Sequence, residues 1–219
     1  MGFKSRLRRI FRPFYLALVP FNATHYWQKR YANGGNSGDG SYGELAKFKA
    51  DVINSIVEKH KIQSVADFGC GDGNQLSLLK IPRYTGLDVS EKAIQLCKHK
   101  FAGDPTKSFR LYDSKYKHPD AQSEASISLD VIYHLVNDPV FEKYMTDLIT
   151  SATRFVIIYS SNTNEQTKNR PAHLKQRKFS DWIDRNHPEL KLIEHIPNPH
   201  PFANGCGSIS DFYIYQKAI

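Results

Sequence analysis

Between residues 41 and 61, Leu45, Phe48, Val52, Ile53, Ile56 and Val57 recur every three or four positions. This spacing predicts an amphipathic helix. Ser41 and Glu44 precede it in the S-x-x-E arrangement of a capping box, which predicts a helix start there. Beyond it, strand-like and helix-like segments alternate. "QSVADFG" reads as a first strand, "NQLSLLK" as a short helix and "RYTGLDV" as a second strand. A helix is predicted from Ser90, burying Ala93, Ile94, Cys97 and Phe101. "SFRLYD" makes a third strand, "SISLDVIYHL" a fourth, and "DPVFEKYMTDLIT" the helix after it. "RFVIIYSS" is the apolar, β-branched fifth strand expected of a position buried on both faces. "KFSDWIDRNH" reads as a helix, with "LKLIEHI" and "SISDFYIYQK" as closing strands. Alternation of this kind predicts an α/β fold with a doubly wound parallel sheet.

The N-terminal arm has a different pattern. Phe3, Leu7, Ile10, Phe11, Phe14 and Leu18 share one side and Arg8, Arg9 and Arg12 the other, with Pro13 breaking or kinking the helix. Two readings stand open: an interfacial anchor on an anionic membrane surface through residues 1–20, or a helix packed on its own domain or a partner. The formal net charge of +8 belongs to this end of the chain. Seven basic residues precede Asp39, and 23 basic and 22 acidic residues follow from there. A nearly neutral body argues against nucleic acid as the partner. The opening resembles a secretory leader only superficially, since Arg12, Pro13 and Pro20 interrupt its apolar stretch, and Arg6 spoils a myristoylation pattern. No run of 18 apolar residues predicts a membrane span. Cys70, Cys97 and Cys206 are scattered without metal spacing, which fits a reduced intracellular setting and no structural metal.

Two glycine runs compete for a nucleotide. "NGGNSGDGSYG" (33–43) follows no predicted strand. "DFGCGDGN" (67–74) sits directly between a strand and a helix, where backbone N–H groups and a helix N-terminus can meet a ligand. Its glycines are Gly69, Gly71 and Gly73. Asn74 stands where the dinucleotide fingerprint wants glycine, and the Lys-Ser/Thr of a triphosphate loop is missing. Asp67 and Asp72 would repel a pyrophosphate and suit a ligand with cationic groups. Asp88 closes the second strand at the distance where a carboxylate grips ribose hydroxyls. Asp113, with Ser114 beside it, is placed to accept from an adenine amino group.

In this order and spacing, "VADFGCGDG", "YTGLDVS", "LYD" and "SISLDVIYHL" resemble the class I S-adenosylmethionine-dependent methyltransferases over residues 41–219. The alternative is a Rossmann-like domain with another ligand. The resemblance implies a Rossmann-like, doubly wound seven-stranded sheet, mostly parallel with one antiparallel edge strand, here "SISDFYIYQK". It implies S-adenosyl-L-methionine as cofactor. Asp67, Gly69 and Gly71 would face its methionine portion and Gly73 would admit the backbone close to it. Asp88 would hold the ribose, Val89 would lie against adenine, Asp113 and Ser114 would bind the adenine edge, and Asp130 would line the methionine side.

Methyl transfer to a hydroxyl needs a base, and a histidine titrates in the useful range. His134, just past the fourth strand, is the first candidate, against a histidine that merely bonds a loop. Tyr133, His173 and Arg177 are candidates for the acceptor side; Tyr133 would point to the other face if the strand continues that far, and the alternative for His173 and Arg177 is solvated helix residues. No NPPY-like tetrad follows the fourth strand, which argues against nucleobase amino groups. Metal assistance finds no clustered carboxylates beyond Asp130 and Asp138, so no metal is expected.

The stretches around Tyr26–Asn54 and Asp130–Met145 resemble methyltransferases of bacterial cell-surface glycan assembly. This implies a sugar or sugar-phosphate hydroxyl as acceptor; the expected location is cytoplasmic, at the inner face of the membrane if the arm is the anchor, which would fit glycan precursors carried on lipid. Rival readings are a small metabolite or protein side chain as acceptor, or a non-catalytic cofactor-binding module. Residues 1–40 are expected to form the arm and a glycine-rich lid, with Tyr31, Ser41 and Tyr42 contacting the cofactor when closed. A plain flexible linker is the alternative for the glycine run.

Overall fold

Side-chain alternation along the strands divides the core in two. In β5 (Ala152–Ser160), Phe155, Ile157 and Tyr159 enter one apolar cluster while Val156 and Ile158 enter the other, so the strand is covered on both faces. The computed structural model describes residues 21–116, 118–166 and 171–218. The amphipathic helix expected over residues 3–18 lies outside the described residues.

The parallel strands are β1 (Ser64–Phe68), β2 (Arg83–Asp88), β3 (Lys107–Leu111), β4 (Ser123–Leu129) and β5. They are completed by β6 (Leu190–Ile196) and β7 (Asp211–Lys217) in the order β3-β2-β1-β4-β5-β7-β6. The helices are α1 (Ala23–Ala32), α2 (Gly43–Lys59), α3 (Glu91–Lys100), α4 (Asp138–Ser151) and α5 (Phe179–Asn186). On one face α2 and α3 bury Ile53, Ile56, Ile94 and Cys97; on the other α4 and α5 bury Phe141, Met145, Leu148 and Ile183. This is the doubly wound, seven-stranded sheet that the sequence predicts.

Several expectations need correction. The antiparallel strand is β7, as expected, but it lies between β5 and β6 and is antiparallel to both, so β6 holds the edge. The capping box does not form: Ser41 belongs to a single 3-10 turn, Asp39–Ser41, and Tyr42 occupies the N-cap of α2 without a side-chain cap. β4 stops at Leu129, because Asp130 takes a left-handed φ of 60° and the chain enters the 3-10 turn Ile132–His134. "NQLSLLK" contains a 3-10 turn, Gln75–Leu78, and Phe101 is a half-buried C-cap residue.

Helix α1 is an addition to the sequence reading. Asn22 caps it by accepting from the His25 N–H at 2.9 Å. At its other end Gly34 turns left-handed (φ 76°), and the N–H groups of Gly34 and Gly35 donate to the Tyr31 and Arg30 carbonyls. That is a Schellman closure, so "NGG" is first of all a helix stop.

Candidate active site

The cradle is built where β1 ends. Gly69, Gly71 and Gly73 have φ of 100°, 59° and 73°, conformations that side chains rarely adopt. A Cβ on Gly69 would strike the Val131 side chain, and one on Gly71 would strike Ser37 Oγ. The Gly71 N–H donates to Asp88 Oδ2 at 3.0 Å and the Ser90 N–H to Oδ1 at 2.8 Å, which ties the β1 turn to the end of β2. From behind, the Cys97 thiol donates to the Gly71 carbonyl at 3.2 Å.

Asp67 is buried at 3% exposure. Its Oδ2 accepts from the Tyr84 hydroxyl at 2.6 Å, while the buried Oδ1 has no partner among the described residues. Burial pushes its carboxyl up to about 7, with the Tyr84 hydrogen bond opposing. Burial likewise pushes Asp88 up to about 6, opposed by its bonds from Ser90 and Gly71. Further along the same edge, Val89 packs half-buried on the second cluster. Asp113 forms a tight turn by accepting from the Lys115 N–H at 2.9 Å, with Ser114 half-buried beside it.

The stretch from Asn33 to Gly43 lies closed over this cradle. Asp72 accepts from the Ser37 N–H at 3.0 Å and from the Tyr42 hydroxyl at 2.9 Å, and its own N–H donates to Ser37 Oγ at 3.0 Å. Tyr31 and Ser37 share a hydroxyl hydrogen bond of 2.9 Å, and Asn74 Nδ2 donates to the Ser41 carbonyl at 2.7 Å. Tyr31, Ser41 and Tyr42 stand beside the cradle, with the side chains of Tyr31 and Tyr42 hydrogen-bonded to Ser37 and Asp72. Asp72 is a clasp, not a group facing a ligand.

Asp130 carries a second network. Lys49, 1% exposed on α2, donates to its Oδ2 at 2.8 Å, Ser210 Oγ donates to Oδ1 at 3.0 Å, and the Tyr133 hydroxyl also bonds to it. Burial and the Asp130 charge raise the Tyr133 phenol well above its ordinary range. A Cβ on Gly40 would come within 2.9 Å of Asp130 Oδ2, so the covering loop presses on this pair as well.

His134 stands in an aromatic wall. Trp27 meets it edge-on at 5.1 Å, His173 stacks on it at 5.6 Å and Tyr26 stacks on His173 at 4.9 Å. His134 Nδ1 lies 3.1 Å from the His173 carbonyl, which can only accept, so Nδ1 carries the proton and Nε2 keeps the lone pair. Burial lowers its pKa to about 4, leaving a neutral imidazole at neutral pH. His173 is lowered too, by burial and by the charge of Arg30.

The structure thus brings His134 and His173 together, and gives the other two candidates partners within the protein. Tyr133 is not on a continuing strand, and its hydroxyl is committed to Asp130. Arg177 is a strap: it donates to the Leu135 and Val136 carbonyls at 2.8 and 3.1 Å, pairs with Asp138 and lies 4.6 Å over the Phe141 ring. The sequence reading missed Lys49, Ser210, Ser37, Asn74, Tyr26 and Trp27 as parts of the site. The caps Asn22 and Asn33-Gly34-Gly35 were the available signal for the helix that brings Tyr26 and Trp27. Among the described residues no cluster of metal-ligating side chains occurs, and no helix is long and apolar enough to cross a membrane.

Residues 65–154 match the family model described as a methyltransferase domain. The match spans the cradle, Asp88, Asp113 and the His134 turn. The match covers less than half of the chain, and the sheet order places that stretch on a Rossmann-like methyltransferase fold. The fold is shared with the N-methyltransferase NodS from Bradyrhizobium japonicum WM9 in complex with S-adenosyl-L-homocysteine (TM-score 0.69, 11% identity, 90% of this chain and 99% of that one). It is also shared with the magnesium protoporphyrin IX methyltransferase ChlM from Synechocystis PCC 6803 with bound SAH (TM-score 0.61, 16% identity, 98% and 100%). The methyltransferase domain of bacterial CtHen1 is a third (TM-score 0.64, 18% identity, 80% and 100%). Among curated proteins none matches the chain in sequence.

The residues present fit S-adenosylmethionine. A carboxylate oxygen buried without a partner suits a cationic ligand, and three left-handed glycines leave backbone where side chains would collide.

Proposed function

We propose that the protein transfers the methyl group to a hydroxyl of a sugar or sugar phosphate, in a surface glycan or its precursor, with His134 as general base. The observation that carries this is the tautomer of His134. A neutral imidazole with Nδ1 held by a carbonyl offers Nε2 to a proton, beside aromatic rings of the kind on which sugar faces stack. S-adenosylmethionine, when bound, supplies an electrophilic methyl on a sulfonium. His134 Nε2 would take the proton of the acceptor hydroxyl, whose oxygen would receive the methyl group that the cofactor supplies. Asp67, Gly69, Gly71 and Gly73 hold the methionine portion, Asp88 the ribose, Val89, Asp113 and Ser114 the adenine, and Asp130 the edge of the methionine side. The Asn33–Gly43 stretch acts as a lid that excludes water. Residues 1–20 place the enzyme at the inner face of an anionic membrane, where lipid-carried glycan precursors would be within reach.

The test is incubation with methyl-labelled S-adenosylmethionine and glycan acceptors, read by mass spectrometry. Label on a sugar oxygen is expected. Label confined to a nitrogen, to a protein side chain or to a metabolite without a sugar would replace this reading, and tight cofactor binding with no product from any acceptor would favour a non-catalytic module.

A further inference from the structure

Arg30, on the last turn of α1, stands over Trp27 and makes no ion pair among the described residues. Its Nε donates to the Asn36 carbonyl at 2.7 Å and one terminal nitrogen to Asn36 Oδ1 at 3.3 Å, while the guanidinium lies 5.7 Å over the Trp27 ring. These contacts fix the orientation of the planar group without neutralising it. No carboxylate pairs with Arg30 among the described residues. Of the acids around the site, Asp130 pairs with Lys49, Asp138 with Lys175 and Arg177, and Asp72 is taken up by the loop contacts.

The position of the unpaired charge is informative. Among the shifted groups, the charge of Arg30 registers on His134 and His173, whereas Asp67, Asp72 and Asp88 are governed by burial and by other partners. The guanidinium lies over Trp27, which itself meets His134 edge-on at 5.1 Å, so Arg30 stands beside the aromatic wall formed by Tyr26, Trp27 and His173. A half-buried guanidinium that is held in place and left without a carboxylate is suited to a bidentate anion brought by the substrate.

We propose that Arg30 is a specificity-determining residue that receives a phosphate group on the methyl acceptor, so that the preferred acceptor is a phosphate-bearing sugar and not a neutral one. This deepens the hydroxyl-methylation reading and rests on it. The sugar face lies on the aromatic wall, the phosphate on Arg30, and the hydroxyl reaches His134 Nε2. The cofactor's own carboxylate is the other anion that could meet this guanidinium, and the experiment separates the two.

The full-length chain and its Arg30→Gln and Arg30→Lys variants are titrated calorimetrically with S-adenosylmethionine. They are then loaded with S-adenosylhomocysteine and titrated with glucose 1-phosphate and with glucose. The native protein is expected to bind the phosphorylated sugar at least tenfold tighter than glucose. Arg30→Gln removes that preference and Arg30→Lys keeps part of it; because Arg30 also pins the loop at Asn36, the ratio of phosphorylated to neutral sugar affinity within each variant is the readout. Failure of the native protein to prefer glucose 1-phosphate, or its preference surviving in Arg30→Gln, overturns the proposal. A tenfold loss of cofactor affinity in Arg30→Gln with the sugar preference unchanged assigns the anion to the cofactor and overturns it as well. Each of these outcomes is independent of whether His134 is the base, which only turnover reports.

Discussion

At the scale of residues, burial sets the charge of the carboxyl groups around the cradle. Asp67 is pushed up to about 7 because it is desolvated and only one of its oxygens has a partner. Its folded value lies above the ordinary carboxylate value, so the native state holds the proton more tightly than the unfolded chain. Its contribution to stability is therefore lost as pH rises from about 4 towards 7. A cationic ligand reverses this preference by favouring the ionised form. S-adenosylmethionine binding should release a proton near pH 6 and tighten as pH rises through about 7, up to roughly tenfold per pH unit. Calorimetry in buffers of different ionisation enthalpy measures that proton; binding that neither releases one nor changes between pH 5.5 and 7.5, about the range set by a carboxyl near 7, would place the cation elsewhere. Lys49 poses the opposite case, a fully buried ammonium matched to Asp130. Lys49→Met leaves the half-buried Asp130 with only hydroxyl partners and should cost about 3 kcal/mol, read as a lowered urea midpoint. A change within about 0.5 kcal/mol would mean that Asp130 is held by Ser210 and Tyr133 alone.

At the scale of elements, the covering loop is held by few contacts. Ser37 and Tyr42 meet Asp72, Asn74 meets Ser41, and Arg30 pins Asn36 at the far side. Each such bond contributes on the order of 1 kcal/mol, so a small number of them sets the balance between closed and open loop. Asp72 sits below its ordinary value because the Asn74, Ser37 and Tyr42 donors outweigh its burial, and its charge is therefore in place at neutral pH. Asp72→Asn should raise protease cleavage within residues 34–40 several-fold while leaving the urea midpoint of the domain nearly unchanged. Cleavage at the native rate would show that the loop is not latched there. The capping box expected at Ser41 fails for a related reason: the residue is drawn into the turn that carries the loop onto the cradle, and the helix begins two residues later.

At the scale of the whole molecule, the parts legible in the sequence were those whose signal is local. A strand, a glycine turn and an acidic residue at the next strand end lie within a couple of dozen residues, and Asp67, Gly71 and Asp88 do meet in space. The parts that escaped are joined over long separations. Lys49 lies 81 residues from Asp130, and nothing about a lone lysine on an amphipathic helix marks it as buried. Helix α1 mixes aromatic and charged residues without an apolar stripe, and so was legible only through its caps. The fourth strand was read too long because Val131 and Ile132 continue its apolar pattern past the residue whose φ ends it. The 3-10 turn that replaces the strand carries His134 to the His173 carbonyl.

The most direct test of the central claim is the turnover of His134→Ala measured beside its cofactor affinity, on a glycan acceptor that the native enzyme methylates. With His134 as the base, turnover falls by about 10²–10⁴-fold while S-adenosylmethionine binds as before, and the native pH profile shows no histidine inflection near 6.5, since the group titrates at about 4. Native turnover in His134→Ala, with cofactor affinity retained, would contradict the account.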